Sequence, residues 1–288
     1  MLRMVYGGYD AVHKHPFEMF RQKGVEDYTL LLVKSSGYFY LNGKRTETGP
    51  QMAVLYPPRT MVRYGSAGMT YKDDWIHFEL TEDETILHEL GLPFQTPMYL
   101  PEMTPVSGCL RLLVRQKRRG GLYEAESEDA LLRGLLYTLA ALVNGKPDGR
   151  RNRRYFREMQ ELRVEIYNTP ESRWDVPRMA EQLHLSESYF QHLYRDFFGI
   201  SCFRDVIEAR MERARFLLST TDLPVGMLAE VCGYESELHF MRQFRQKVGM
   251  TPTEYRKFSG GDEEAGDESL EIPDGAEAAD SENKETGR

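Results

Sequence analysis

MAEQLHLSESYFQHLYRDFFGIS, residues 179–201, and LAEVCGYESELHFMRQFRQKVGMT, residues 228–251, write one pattern twice. Ala180 aligns with Ala229, Ser186 with Ser236 or its neighbour, Phe190 with Phe240, and Gly199 with Gly249. In the first copy Phe190, Leu193 and Phe197 recur at helical steps, so they share one face, and Ser188, Gln191, His192 and Arg195 share the other. Ser186 is the N-cap candidate, because its hydroxyl can accept from a free N–H of the first turn. A short helix, a tight turn and a second helix with an outward polar face spell a helix-turn-helix. The repetition predicts two.

Between the copies, Phe203, Val206, Ile207, Met211, Ala214, Leu217 and Leu218 predict one longer helix. About seventeen residues of helix span roughly 25 Å. That is the right order to set two recognition helices into successive major grooves about 34 Å apart. Upstream, Phe156, Met159, Leu162, Ile166 and Tyr167 predict a helix that stops by Pro170, and Asp175 can cap the next one with Pro177 in its first turn. NGKPDGRRNRR, residues 144–154, joins turn residues to a run of arginines and reads as a linker.

The remainder of the chain is bounded by its composition. The chain has 288 residues, 41% hydrophobic and 28% charged, with a net charge of -8. This suits about two folded domains. No stretch approaches a membrane span and the first residues lack signal-peptide architecture, so the expected location is cytoplasmic, with no membrane partner. Cys109, Cys202 and Cys232 are distant from one another and lack Cys-x-x-Cys spacing, which predicts neither a disulfide nor a zinc site. From Gly260 onward eleven Asp or Glu stand against Lys284 and Arg288. So acidic a segment, poor in large aliphatic residues, is expected to be disordered. Residues 150–257 carry 18 Lys or Arg against 16 Asp or Glu, so binding to an anion there must rest on specific contacts rather than on a basic envelope.

Residues 28–80 alternate short apolar runs with turns, and Leu41 runs into Asn-Gly, the strongest short hairpin signal. An antiparallel β domain follows. After it, VSGCLRLLVRQKRR and EDALLRGLLYTLAALVNG are helical, and Leu131, Leu135, Leu139 and Leu142 line a broad apolar stripe.

LSESYFQHLYRDFFG, ARMERARFLL, LAEVCGYES and GMTPTEYR together resemble the DNA-binding domain of AraC/XylS-type transcription regulators over about 80 residues. The stretch SSGYFYLNGKRTETGPQMAVLYPP followed by DDWIHF is similar to the cupin-type barrel that senses small molecules in regulators of sugar use. The resemblance implies two domains: an N-terminal all-β cupin-like barrel with a helical dimerisation element, and a C-terminal all-α domain with two helix-turn-helix motifs. It implies that Ser188, Gln191 and His192 in one recognition helix, and Glu237, Leu238, His239 and Arg242 in the other, touch bases of double-stranded DNA. Gln191 suits adenine, Arg242 guanine and Glu237 a cytosine amino group. Arg195, Arg245 and Lys247 complete the outward faces, and the last two suit phosphates. Arg21, Tyr64 and Trp75, with Asp73 beside them, fall where the family lines its effector pocket. An indole face with polar neighbours suits a carbohydrate. The leucine stripe becomes a homodimer seam, and RNA polymerase a downstream partner.

These readings place the barrel at 1–105, the dimerisation helices at 106–144, the linker at 145–154, the DNA-binding domain at 155–258 and the acidic tail at 259–288. The expected protein is a ligand-responsive regulator and not an enzyme, with no cofactor and no metal. One alternative is a metal-dependent cupin enzyme using His13, His15, His77 and Glu79. The other is a DNA-binding protein whose barrel only dimerises.

Overall fold

The N-terminal strands pair into two antiparallel sheets facing each other, in a computed structural model that describes residues 1–67, 69–81, 84–144 and 150–259. The strands are β1 (Leu2–His13), β2 (Glu18–Arg21), β3 (Tyr28–Val33), β4 (Gly37–Leu41), β5 (Lys44–Thr48), β6 (Met52–Tyr56), β7 (Val62–Ser66), β8 (Tyr71–Leu80) and β9 (Met98–Tyr99), with the short helix α1 (Ile86–Glu89) between the last two. One sheet has the order β1-β8-β3-β6-β9 and the other β2-β7-β4-β5. Asn42 and Gly43 take φ of 51° and 77°, the positive values that the β4–β5 hairpin turn requires.

β3 is a continuous apolar run because both its faces are covered. Leu31 and Val33 join the barrel interior with Phe39, Met52, Val54, Tyr64 and Tyr71, whereas Leu30 and Leu32 join the core beneath the helices. β8 divides in the same way. Tyr71 and Trp75 turn inward, Ile76 and Phe78 outward.

β1 and β2 precede the point where alternation becomes legible in the sequence. β1 contains Gly7 and Gly8, and its register against β8 shifts between Met4 and Tyr6 and again between Gly8 and Ala11. Each bulge resets which side chains face inward, so no simple period survives. His13 is the last residue of β1.

Two helices, α2 (Thr104–Arg119) and α3 (Glu124–Asn144), lie over β1. β1 is an edge strand, and the carboxylates of α3 cover its free donors: Glu128 accepts from the Met4 N–H and Asp129 from the Leu2 N–H. The leucine stripe is spent here. Leu135 and Leu139 are fully buried with Leu110, Leu113 and Leu132 against the barrel of their own chain, and Leu131 and Leu142 pack half-buried at the margin of the same core. The expected dimer seam is therefore corrected at Leu135 and Leu139, which are spent within the chain. A stripe shows that something apolar covers it, and here the same chain's sheet does.

The second domain holds seven helices among the described residues: α4 (Arg150–Asn168), α5 (Val176–Gln182), α6 (Glu187–Phe198), α7 (Cys202–Thr220), α8 (Val225–Val231), α9 (Glu237–Val248) and α10 (Pro252–Ser259). α4 starts inside the segment expected to be linker. Residues 145–149 of that linker, and the tail from Gly260, lie outside the described residues. α4, α5, α6 and the first half of α7 enclose one core, and the second half of α7 encloses another with α8 and α9.

Candidate DNA-recognition face and effector pocket

Local chemistry sets the two helix-turn-helix units. Asp175 accepts from the Arg178 N–H at 3.0 Å to start α5, and the Ser186 and Ser236 hydroxyls each accept at 3.4 Å to start α6 and α9. Gly199 and Gly249, in the left-handed region at φ 69° and 86°, stop the same two helices. Phe190, Leu193, Tyr194 and Phe197 anchor α6, while Phe240 and Phe244 anchor α9. Ser188, Gln191, His192 and Arg195 on α6 are exposed, as are Glu237, Leu238, His239, Arg242, Arg245 and Lys247 on α9.

These exposed groups are not equally available. His192 pairs with Asp196 at 3.2 Å, and Lys247 lies 3.5 Å from Glu208. The Glu237 carboxylate lies over Gly226 at the start of α8, where a Cβ on the glycine would come within 2.8 Å of it. The His239 ring meets Tyr234 edge-on at 5.6 Å. Gln191, Arg195 and Arg242 have no side-chain hydrogen bond or ion pair among the described residues. The amide and the two guanidiniums can therefore serve an external acceptor without breaking an internal contact, and two of them carry full positive charge.

Beneath the outward faces lies a buried polar cluster that no sequence signal marked. Asp205 of α7, fully buried, accepts from Tyr167 and Tyr194 at 2.8 Å each and pairs with Arg163 Nε at 2.8 Å. Arg163 also donates through Nη1 to Gln51 Oε1 at 2.7 Å, which ties α4 to the turn between β5 and β6. The partners of Asp205 lie 11, 38 and 42 residues away along the chain, beyond any local pattern.

Inside the barrel, four positions named from the sequence meet different fates. Tyr64 is buried, stacked on Phe39 at 5.3 Å. Asp73 is fully buried, and neither carboxylate oxygen has a hydrogen-bond partner among the described residues. The nearest cation-forming group is His13 Nε2 at 3.7 Å, too far for a hydrogen bond. Burial pushes the Asp73 carboxyl above the usual carboxylate range, against the opposing pull of the His13 ring. Trp75 is half-buried, its indole resting on Gly8, where a Cβ would come within 3.0 Å of the ring nitrogen. Arg21 is half-buried on β2, and its charge acts on Tyr6 and Tyr64.

The sequence reading missed Tyr56 and Tyr71, whose buried hydroxyls also lack a partner among the described residues. Tyr71 was legible in principle, since Tyr71, Asp73, Trp75 and His77 are spaced by two along β8. His77 belongs to a satisfied pair: its Nδ1 lies 2.7 Å from Asp27, and its ring stacks on Tyr6 at 4.2 Å. His15 bonds the Ser66 hydroxyl at 2.6 Å, and Glu79 pairs with Arg3 on the surface. No group of three or more His, Cys, Asp or Glu among the described residues is placed to hold a metal ion. Likewise, no described helix is long and apolar enough to cross a membrane.

Comparison with known proteins adds to this geometry. A family model described as an AraC-like ligand binding domain matches residues 15–140, and one described as a helix-turn-helix domain matches residues 179–257. The arabinose operon regulatory protein of Salmonella typhimurium is 25% identical over 246 residues, 82% of this chain and 85% of that one. Its counterpart in Escherichia coli is 23% identical over 262 residues, covering 88% and 87% of the two chains. Among solved structures, a DNA-binding transcriptional dual regulator from Escherichia coli K-12 is 32% identical over 35% of this chain and 89% of that chain, with a TM-score of 0.32.

Proposed function

This chain belongs to the AraC/XylS family of transcriptional regulators, and from that premise we propose that it is switched by a carbohydrate bound inside the barrel. The observation that carries the reading is Asp73, a buried carboxyl whose two oxygens have no hydrogen-bond partner among the described residues, as the buried hydroxyls of Tyr56 and Tyr71 have none. Each unpaired buried polar group costs about 1–3 kcal/mol. A polyhydroxylated ligand supplies donors and acceptors to all of them, while the Tyr64 ring, the Trp75 indole and the Arg21 guanidinium present the apolar and cationic surfaces that hold a sugar. Two relatives that match most of the chain are arabinose operon regulators, which favours the same ligand class.

The experiment is a thermal-shift screen against mono- and oligosaccharides, run on the wild type and Asp73→Asn. Burial raises the Asp73 carboxyl, so the fold holds its proton more tightly than the unfolded chain does. Its contribution to stability is present in acid, below the ordinary carboxylate range, and is lost as pH rises through the raised value. Asparagine removes that loss. Asp73→Asn is therefore expected to melt higher than the wild type near neutral pH, with the difference shrinking in acid. The same variant is expected to lose the ligand-induced shift. An undiminished shift in Asp73→Asn would remove Asp73 from the pocket.

In the second domain, α6 and α9 read two successive major-groove segments of one duplex, with Gln191 and Arg242 contacting bases and Arg195 and Arg245 contacting phosphates. Arg242→Ala is expected to cost about 1–3 kcal/mol and to relax preference at one base pair, whereas Arg245→Ala weakens all sequences alike and lowers the salt slope by about one. Titrations at several salt concentrations separate the two. Equal losses on every sequence for both variants would show that neither reads a base. The chain acts as a homodimer and engages RNA polymerase. Leu112 and Tyr137, 53% and 54% exposed on α2 and α3, take over the dimer role from the leucine stripe.

A further inference from the structure

The two cores of the DNA-binding domain meet on a single helix. Ala209 of α7 belongs to the first core and Met211 to the second. A lone helix joining two small units leaves them free to bend and twist relative to each other unless something bridges the junction. Arg210 sits between those two residues. Its Nε donates to the Pro170 carbonyl at 2.9 Å and its Nη2 to the Ser172 carbonyl at 3.2 Å, both in the loop that leads into α5. The same guanidinium lies 5.3 Å from the ring centre of Tyr234, in the turn of the second helix-turn-helix. One helical turn on, Arg213 pairs with Glu171 of that loop at 2.9 Å.

The second unit meets the loop through Gly233. A Cβ there would fall 2.8 Å from Glu171 Cα, 2.9 Å from the Glu171 carbonyl oxygen and 3.0 Å from Arg210 Nη2. The left-handed conformation at φ 80° is not by itself the reason for glycine. His184, four residues after Ala180 as Gly233 is after Ala229, takes φ 55° in the first motif, and it is exposed. The difference is the loop backbone pressed against the second turn. From Tyr234 the contact continues into α9, because its hydroxyl donates to Gln243. On the other side Trp174 Nε1 holds the loop by donating to the Thr169 carbonyl at 2.9 Å, and Asp175 caps α5.

We propose that Arg210 and Gly233 form an interlock that sets the separation and orientation of the two recognition helices, and with it the spacing of groove contacts the protein accepts. Arg210 is a positioning residue in this scheme and touches no base. The proposal rests on the reading that α6 and α9 occupy successive grooves.

The test uses the full chain and duplexes obtained by selection from random sequence with the wild type. Variants of the selected duplex carry one or two base pairs inserted between the two protected segments, and a control has the second segment scrambled. The wild type is expected to lose about tenfold or more in affinity on insertion, and Arg210→Ala only about threefold, with affinity for the scrambled control unchanged within about twofold. Gly233→Ala is expected to shift the preferred spacing, since its methyl group drives the Glu171 loop away. Arg210→Lys, which keeps the charge and loses the two-carbonyl grip, replaces Arg210→Ala if the alanine variant is unfolded at the assay temperature. A wild-type spacing penalty in both the Arg210 and Gly233 variants overturns the interlock. A wild type indifferent to spacing overturns the two-groove reading instead.

Discussion

Asp205→Ala is expected to destabilise the DNA-binding domain by about 3–5 kcal/mol, enough to unfold a marginal domain at physiological temperature. The magnitude follows from what is left behind. Arg163 is 4% exposed and takes its charge compensation from Asp205, its further contacts being the neutral Gln51 amide and the faces of the Phe198 and Tyr167 rings. Removing the carboxylate strands a guanidinium in a low-dielectric core, along with the hydroxyls of Tyr167 and Tyr194. Asp205→Asn tests charge separately from hydrogen bonding, because the amide keeps one acceptor and loses the anion. Its cost should fall close to that of alanine if charge dominates. Chemical denaturation of the full chain in a Trp75→Phe background, followed by Trp174 fluorescence, reads the second domain. A loss below about 1 kcal/mol for both variants would show that water reaches Arg163 on local opening.

Leu139→Asp is expected to unfold the sensor domain, with a loss of at least about 4 kcal/mol from the deleted leucine and the buried carboxylate. Leu139 is fully buried between the helices and the barrel. Ligand binding should vanish while the second domain keeps its own melting transition, because its two cores share no member with the sensor core. A folded, monomeric Leu139→Asp variant with intact ligand binding would restore the leucine stripe as a dimer seam. Tyr137→Asp, on the exposed side of α3, provides the contrast. It should leave the melting temperature nearly unchanged and halve the mass in light scattering if the outward face of α3 joins two copies.

Much of the second domain is legible because its determinants are short-range. Ser186 and Ser236 cap within three residues, Gly199 and Gly249 end their helices through the last turn, and the inward aromatics recur at helical steps. The exposed face of α6 follows from that periodicity, whereas Glu237, Leu238 and His239 on α9 came from the family resemblance. The barrel is legible only where alternation holds. Asn42-Gly43 marks its hairpin, but the two register shifts hide β1.

Sequence alone determined the duplication, the capping residues of α5, α6 and α9 and the outward face of α6, since each depends on backbone hydrogen bonding and side-chain spacing within a few residues. Tertiary structure alone decided which apolar stripe is covered and by what, because the width of a stripe reports that an apolar partner exists and carries no address. It also decided that Asp73 and Asp205, two aspartates indistinguishable by local pattern, are opposites. Asp205 collects donors from three distant residues and holds a core together, whereas Asp73 is buried with none among the described residues. The free energy of a buried carboxylate depends on dipoles and charges within a few ångströms in space, and folding brings those from anywhere along the chain.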